Sequence, residues 1–141
     1  KKYKIKDASI FDVWKMTLDD AKVFFNDNDK LVAKICEATS EILLGHLRVG
    51  QATCTLSGGE NIRVKIMRAS KSKAKVIGVD EPFKGLSNVE IDAVARYLDG
   101  IREKGKTLIV IDHTSGIEKY FSEWIILKNR NGFLASDIID F

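Results

Sequence analysis

The chain contains little cysteine and almost no proline. Its 141 residues include two cysteines, Cys36 and Cys54, which are too few for a disulfide scaffold and too far apart for a Cys-x-x-Cys zinc motif. We therefore expect two reduced thiols, a cytoplasmic location and no zinc site within the chain. The single proline, Pro82, favours continuous regular structure on either side of it.

Long hydrophobic runs are also absent. No stretch approaches the roughly 20 apolar residues that a membrane-spanning helix needs, so we predict no membrane partner. No apolar segment follows Lys1, so no secretory signal is visible. The composition, 45% hydrophobic and 30% charged, is typical of one globular domain, and a net charge of +3 is too mild to indicate a nucleic-acid partner by itself.

A phosphate-binding loop is missing as well. Residues 100–107 match G-x-x-x-x-G-K-[ST] letter for letter. A working loop of this kind follows a strand and opens a helix, because the helix N-terminus supplies the phosphate cradle. Here the pattern predicts a helix before the match and a strand after it, with Gly105 as the C-terminal cap of that helix. We therefore reject the match, and the 141 residues offer no other candidate.

Helical patterns dominate residues 1–75. Thr17 precedes a short helix, and a second helix is expected from about Asp29 to Leu44, with Gly45 as its left-handed C-cap. The expected apolar stripe of this second helix consists of Leu31, Ile35, Ala38 and Ile42. We therefore treat residues 1–75 as one helical region.

Residues 76–141 change to alternating strands and helices. Val76–Val79 and Thr107–Ile111 are predicted buried strands, joined by a helix that a capping box opens at Ser87. Such a βαβ unit is parallel and right-handed. A short helix from Ser115 and a C-terminal hairpin around Asn131-Gly132 complete the prediction of an α/β fold with a parallel sheet core.

The two predicted strands end in residues that can carry out chemistry. Asp80-Glu81 follows the first strand and Asp112-His113 the second, and the carboxyl ends of parallel strands share one sheet edge. Because consecutive strand residues point to opposite sides, we expect Asp80 and Glu81 to have different roles, so that one can hold a hydrated magnesium ion while the other activates a water molecule. The alternative is an ordinary turn before Pro82.

A glycine pair opens another predicted helix. In Ser57-Gly58-Gly59-Glu60, the serine and glutamate form a capping box, which alone accounts for those two residues. Two glycines in the first helical turn cost helix propensity, and they let backbone N–H groups approach an anion closely. Phosphate contact and simple capping both remain open for this segment.

The helix after the glycine pair and the segment beyond it carry a run of basic residues. The run is interpreted as a solvated face, with contact to the phosphate backbone of DNA as the alternative. His46 lies in a loop, and the sequence assigns it no role. The basic residues are Arg63, Lys65, Arg68, Lys71, Lys73 and Lys75.

Taken in order, three motifs resemble those of an ABC ATPase: Leu56–Glu60, Val76–Pro82 and Ile109–His113. The resemblance implies part of a P-loop NTPase domain, with residues 1–75 as the signature-motif region and residues 76–141 as the Walker B and H-loop lobe. It also implies the cofactors ATP and Mg²⁺.

The resemblance implies a role for each site residue. Ser57, Gly58 and Gly59, in a segment completed by Glu60, would contact the γ-phosphate of ATP held by a partner nucleotide-binding domain. On the other side of that site, Asp80 would bind magnesium through water, Glu81 would act as general base and His113 would sense the γ-phosphate.

Within ABC ATPases, the chain is similar to the second nucleotide-binding domain of the UvrA family, the ATPase component of the bacterial repair excinuclease. The similarity rests on Thr55–Glu60 with Arg63-Val-Lys65, and upstream on Tyr3-Lys-Ile-Lys, Ile10-Phe-Asp-Val13, Met16-Thr-Leu and Phe24-Phe25. The chain departs from that family at Ile62, Gly78, Phe83-Lys84 and Ser87, which is typical of a divergent paralog.

The resemblance predicts the C-terminal lobe of a UvrA-like ATPase that couples ATP hydrolysis to recognition of DNA damage in excision repair. The lobe is expected to be inactive alone and to act with a partner nucleotide-binding domain and with DNA. The alternatives are a transporter or chromosome-maintenance ABC domain, and a degenerate module that binds DNA or protein without catalysis.

Overall fold

Helices form most of the first half of the chain, and strands and helices alternate in the second half. The computed structural model describes residues 3–27, 29–130 and 133–140. The elements are β1 (Lys4–Ile5), β2 (Ala8–Ser9), α1 (Ile10–Lys15), α2 (Leu18–Phe25), α3 (Lys30–Glu41), α4 (Gly58–Ser70), β3 (Val76–Asp80), α5 (Asn88–Glu103), β4 (Thr107–Ile111), β5 (Glu123–Arg130) and β6 (Phe133–Asp140).

Capping boxes define where the helices begin. The side chain of Thr17 accepts a hydrogen bond from the Asp20 N–H and opens α2, as the sequence predicted. Ser57 opens α4 with the same reciprocal arrangement, and at the start of α5 the N–H and the hydroxyl of Ser87 both donate to the Glu90 carboxylate. Each box satisfies N–H groups that the first helical turn leaves unpaired, so these three helix starts are set by local sequence.

The end of α3 differs from the prediction. The helix begins after Asp29, as expected, but ends at Glu41, and the residue with positive φ is Leu43 (+62°) rather than Gly45. The N–H groups of Leu43 and Leu44 bond to the carbonyls of Ser40 and Thr39, which is the Schellman pattern. Burial of Leu44, only 1% exposed, stabilises this unusual backbone.

Gly45 has another role. The Asp19 carboxylate occupies the space that a Cβ would fill there, and the Asp19 N–H donates to the Gly45 carbonyl at 3.0 Å. A side chain at position 45 would therefore clash with the start of α2.

The buried face of α3 matches the predicted stripe only in part, at Ile42, which directly follows the helix and is fully buried. Leu31 and Ile35 are 69% and 40% exposed, whereas the buried residues are Ala33, Cys36 and Thr39. Helix α2 packs closely against α3. The buried side of α3 therefore carries small residues, and the larger residues Leu31 and Ile35 stay exposed.

The predicted βαβ unit is confirmed. Strands β3 and β4 pair in parallel, with Val76 opposite Thr107 and Asp80 opposite Ile111. Helix α5 buries Ile91, Val94, Ala95, Leu98 and Ile101. Gly105 has φ +82° directly after α5 and precedes β4, so residues 100–107 run from helix to strand and are not a phosphate loop.

The two faces of the parallel pair differ. Ile77 and Val79 are buried, while the alternate residues Val76, Ile109 and Ile111 are each more than half exposed. Because side chains alternate along a strand, one face lies on the core and the other carries Asp80 at its end.

A core cluster of described residues draws on both halves of the chain. Its largest fully buried side chains are those of Phe83, Ile42, Leu44, Ile101 and Val94. The boundary between residues 75 and 76 stays a prediction. None of the helices in the described ranges combines the length and the apolar character that crossing a membrane would require.

The C-terminal segment follows the prediction in part. The helix expected from Ser115 is instead a 3-10 turn at Glu118–Tyr120, where Ile117 just before the turn is buried and Tyr120 is half-buried against the core. Strands β5 and β6 form the expected antiparallel hairpin, with Glu123 opposite Asp140. The predicted Asn131-Gly132 turn lies outside the described residues.

Candidate active site

The carboxyl ends of β3 and β4 form one rim of the sheet. The Glu81 N–H donates to the Ile111 carbonyl at 2.7 Å, which extends the strand pairing by one bond. Strand geometry stops at Asp80, because Glu81 has φ +48°. The expected strand alternation therefore does not separate Asp80 from Glu81; the left-handed backbone at Glu81 turns the chain instead. Such backbone is rare outside glycine and clusters at functional sites.

Glu81 and His113 lie together on this rim. His113 Nε2 is 4.0 Å from Glu81 Oε1, and the histidine side chain is 84% exposed. The second oxygen of the carboxylate, Oε2, accepts a hydrogen bond from Lys84 Nζ at 2.6 Å. The hydrogen bond and the charge of Glu81 raise the pKa of Lys84, with smaller contributions from Asp80 and Asp112. Lys84 therefore stays cationic beside the acidic rim.

Asp112 connects the two loops of the rim. Its Oδ2 accepts the Phe83 N–H at 3.0 Å and its Oδ1 accepts the Thr114 N–H at 2.8 Å. Partial burial opposes ionisation of Asp112, but hydrogen bonds from Thr114, Phe83 and His113 outweigh it and hold its pKa below the usual range. The carboxylate thus fixes the backbone on either side of the Glu81–His113 pair.

The donors at the rim fit a hydrated magnesium ion. The exposed Asp80 carboxylate ends β3, and Glu81 follows it directly. Among residues 3–27, 29–130 and 133–140 no group of three or more His, Cys, Asp or Glu side chains converges to form a metal cage. Mg²⁺ in nucleotide sites characteristically uses one or two carboxylates, water and substrate phosphates, and Asp80 and Glu81 are carboxylates of that kind.

An open groove runs between α4 and β3 and ends at the rim. It brings side chains of the α4 helix next to the acidic pair at the end of β3. Its lining residues are Ile62, Lys65, Ile66, Ala69, Ile77, Gly78, Val79, Asp80 and Glu81.

The tip of α4 is a second, separate cluster. The Ser57 N–H donates to Glu60 Oε2 at 2.7 Å, and His46 Nε2 lies 2.8 Å from Glu60 Oε1. The Ser57 backbone N–H, then His46 and the Ser57 hydroxyl, lower the pKa of Glu60 to about 2. No hydrogen bond or ion pair between described residues joins this cluster to Asp80, Glu81 or His113.

The two glycines leave the tip of α4 open. A Cβ at Gly58 would meet nothing within 4 Å, and one at Gly59 would meet only Arg63 Nη1, at 3.3 Å. Packing therefore does not require Gly58. A helix start of this kind can bind an anion through its backbone N–H groups, and the phosphate contact at Gly58 and Gly59 stays a prediction.

Part of the basic run departs from the solvated face that the sequence predicted. Arg63 is only 6% exposed, and its Nε has no hydrogen-bond partner among the described residues. The other members of the run, Lys65, Arg68, Lys71, Lys73 and Lys75, are at least partly exposed.

Sequence reasoning missed four residues of these two clusters. The sequence assigns no functional role to Asp112, Lys84 or His46. In the structure, Lys84 bonds to Glu81 and His46 bonds to Glu60. Asp112 bonds to the backbone of the loop that follows Glu81. Arg63 was counted as solvated. Capping, by contrast, correctly predicted the bonding of Ser57 and Glu60.

Comparisons with known proteins agree with the fold and the motifs. The family model described as ABC transporter matches residues 5–84. UvrABC system protein A of Mycoplasmopsis pulmonis is 37% identical over 96% of this chain, and that of Vibrio parahaemolyticus is 36% identical over 86%. The chain spans 15% and 13% of the length of these two relatives.

The structural comparison points the same way. The crystal structure of UvrA2 from Deinococcus radiodurans superposes with a TM-score of 0.77 at 28% identity, covering 88% of this chain and 16% of that one. The predicted ABC ATPase fold is thereby confirmed. Because the family model spans more than half of the 141 residues, the chain belongs to the ABC transporter family, and its sequence is similar to UvrABC system protein A.

Proposed function

We propose that this chain carries the signature segment and the catalytic carboxylate of a UvrA-like ATPase. In the intact protein, ATP binding and hydrolysis would be coupled to recognition of DNA damage in nucleotide excision repair. The observation that carries the proposal is the 4.0 Å approach of His113 to Glu81 where two parallel strands end. The similarity to proteins named UvrABC system protein A supports the assignment to repair.

Each residue of the rim has a distinct part in the proposal. MgATP, when bound, supplies the phosphoryl group that is transferred to water. Glu81 accepts a proton from that water, and His113 donates a hydrogen bond to the terminal phosphate. Asp80 is the residue that would hold the magnesium ion, which would neutralise phosphate charge when bound. The exposed positions of Asp80 and His113 leave both side chains accessible to nucleotide.

The tip of α4 acts on a second nucleotide site in this proposal. The Ser57 hydroxyl and the N–H groups of Gly58 and Gly59 contact the γ-phosphate of ATP held by a partner nucleotide-binding domain, in the same protein or in a dimer. Glu60 stabilises the conformation of the tip through its hydrogen bonds to Ser57 and His46. The tip of α4 and the rim do not share hydrogen bonds among the described residues. In the proposal they belong to two different nucleotide sites, each completed by a different partner.

The isolated chain should not hydrolyse ATP. Residues 100–107, which match the phosphate-loop pattern, run from helix to strand, and phosphoryl transfer depends on positioning of the phosphates by a loop that opens a helix. We expect weak ATP binding and no turnover from the chain alone. Turnover comparable to that of an intact ABC ATPase would contradict this part of the proposal.

The decisive experiment uses Glu81→Gln in the intact protein that contains this chain. Loss of a general base typically lowers turnover by about 10²- to 10⁴-fold, while ATP binding should persist because the amide keeps the shape of the carboxylate. Glu103→Gln, at the exposed C-terminal end of α5, is the matched control and should retain activity. Full hydrolysis by Glu81→Gln would remove Glu81 from its role.

DNA is the proposed partner of the intact protein. The basic residues Lys65, Arg68, Lys71, Lys73 and Lys75 offer charge for phosphate contacts. Replacing Lys71, Lys73 and Lys75 together should weaken DNA binding and flatten its dependence on salt concentration. Unchanged salt dependence would place the DNA contacts elsewhere in the protein.

A further inference from the structure

Lys84 contacts the proposed general base directly. Its Nζ lies 2.6 Å from Glu81 Oε2, while the other oxygen, Oε1, is the one that faces His113 at 4.0 Å. The two oxygens of the carboxylate thus have different neighbours. One is held by the lysine, and the other points towards the imidazole with which Glu81 shares the rim.

We propose that Lys84 is a positioning residue, which holds Glu81 Oε2 so that Oε1 is directed to the side of the rim where His113 lies. The proposal rests on the proposed function, because it concerns the orientation of the same carboxylate.

The backbone between the two residues is fixed. Phe83 is fully buried, and its N–H donates to Asp112 Oδ2. The Leu86 N–H bonds to the Phe83 carbonyl at 3.2 Å, and Gly85 adopts φ +74° in the same turn. Lys84 therefore projects from an anchored turn, and its ammonium reaches Glu81 without a rearrangement of the loop.

The ion pair between Lys84 and Glu81 contributes little to folding stability. The Lys84 side chain is 71% exposed and that of Glu81 is 33% exposed, and exposed pairs contribute little to folding stability. An unpaired glutamate side chain samples several rotamers. If Lys84 holds Glu81 in one rotamer, less entropy is lost when the carboxylate reaches its reactive position. The effect of Lys84 should therefore appear in turnover and not in unfolding.

The charge around Lys84 supports the same conclusion. The hydrogen bond and the charge of Glu81 raise the pKa of Lys84, and the charges of Asp80 and Asp112 act in the same direction. A cation in this position stays protonated and keeps its donor hydrogens available to Glu81.

The test compares Lys84→Met and Lys84→Arg in the intact protein, with Lys104→Met at the exposed end of α5 as the matched control. We expect Lys84→Met to lower kcat about tenfold, with the KM for ATP and the unfolding temperature unchanged. Lys84→Arg, which keeps a cationic donor, should recover most of the kcat, and Lys104→Met should match the unsubstituted protein.

The outcomes separate this inference from the proposed function. If Glu81→Gln abolishes turnover while Lys84→Met stays within twofold of the unsubstituted protein, the positioning role is wrong and the base assignment stands. A kcat for Lys84→Arg as low as that for Lys84→Met, or a rise in kcat for Lys84→Met, also overturns it. If Glu81→Gln hydrolyses ATP at the full rate, both proposals fail.

Discussion

The backbone N–H of Phe83 donates a hydrogen bond to Asp112 Oδ2 at 3.0 Å, across the two loops that follow β3 and β4. The other carboxylate oxygen binds the N–H of Thr114. One side chain therefore satisfies backbone donors in both loops and holds them in register, and Glu81 and His113 lie in those loops. The approach of the base to the imidazole depends on this bond as much as on the sheet.

Asp112→Ala tests that dependence. The substitution leaves the Phe83 and Thr114 N–H groups without their acceptor, which should lower the free energy of unfolding by about 1–3 kcal/mol in urea denaturation. Hydrolysis by the intact protein should fall as well, because the two loops lose their connection. Asp112→Asn retains one acceptor oxygen, so its free energy of unfolding and its hydrolysis rate should lie between those of Asp112→Ala and the unsubstituted protein. Equal stability of Asp112→Ala and the unsubstituted chain would show that the loops are held by other contacts.

Phe83→Ala should be the most destabilising single change in this loop. The side chain is fully buried and lies edge-on to Phe121 with ring centroids 6.3 Å apart. Removing a buried phenylalanine typically costs about 3–5 kcal/mol of unfolding free energy. Phe11→Ala is the matched control, since Phe11 is 74% exposed and its loss should change stability by no more than about 0.5 kcal/mol. Similar losses for both variants in urea denaturation would contradict the packing.

Local signals account for the parts of the fold that the sequence predicted. The capping boxes at Thr17, Ser57 and Ser87 involve residues three apart, so their geometry is encoded within one turn. Short apolar runs between turn residues likewise predicted β3 and β4. The placement of Glu81 and His113 at one rim followed from the parallel pairing of these strands.

The remainder depends on contacts that are distant in sequence. Leu43 and Glu81 adopt positive φ although neither is glycine, because buried neighbours and the bond to Ile111 fix the backbone around them. His46 meets Glu60 across 14 residues, and Asp112 meets Phe83 across 29. No local pattern distinguishes these partners from other polar residues, so tertiary structure was needed to find them.

The capping glutamate of α4 should make stability depend on pH. Its pKa falls from an ordinary 4.5 to about 2 in the folded chain, so in acid the unfolded chain binds this proton more readily. The stabilisation is fully present above about pH 4.5 and is lost as the pH falls towards about 2. The free energy of unfolding in urea should therefore be measured for the unsubstituted chain and for Glu60→Gln. The difference between the two should shrink as the pH falls from about 4.5 towards about 2.

His46→Ala provides the control for that experiment. Without His46, one of the contacts that lower the pKa of Glu60 is gone, so the folded-state pKa should lie closer to its ordinary value and the difference caused by Glu60→Gln should be smaller. A difference that is constant from pH 7 to pH 3 in either background would refute the role of the Ser57 and His46 contacts.

Gly58→Ala distinguishes phosphate contact from simple capping at the tip of α4. A Cβ at this position meets nothing within 4 Å in the folded chain, and alanine favours helix over glycine. The substitution should therefore leave stability unchanged or raise it by up to about 1 kcal/mol in urea denaturation. If the tip receives the γ-phosphate of a partner-bound ATP, the added methyl group obstructs that approach, and hydrolysis by the intact protein should fall by about 10- to 100-fold.

Gly100→Ala is the matched control for this prediction. Gly100 lies inside α5, and a Cβ there also meets nothing within 4 Å. The same gain in helix propensity applies, but the position is far along the sequence from the tip of α4 and takes no part in the proposed sites. We expect Gly100→Ala to raise stability without loss of hydrolysis. If both variants hydrolyse ATP at the rate of the unsubstituted protein, the glycine pair serves only the start of the helix, and Ser57 and Glu60 are capping residues alone.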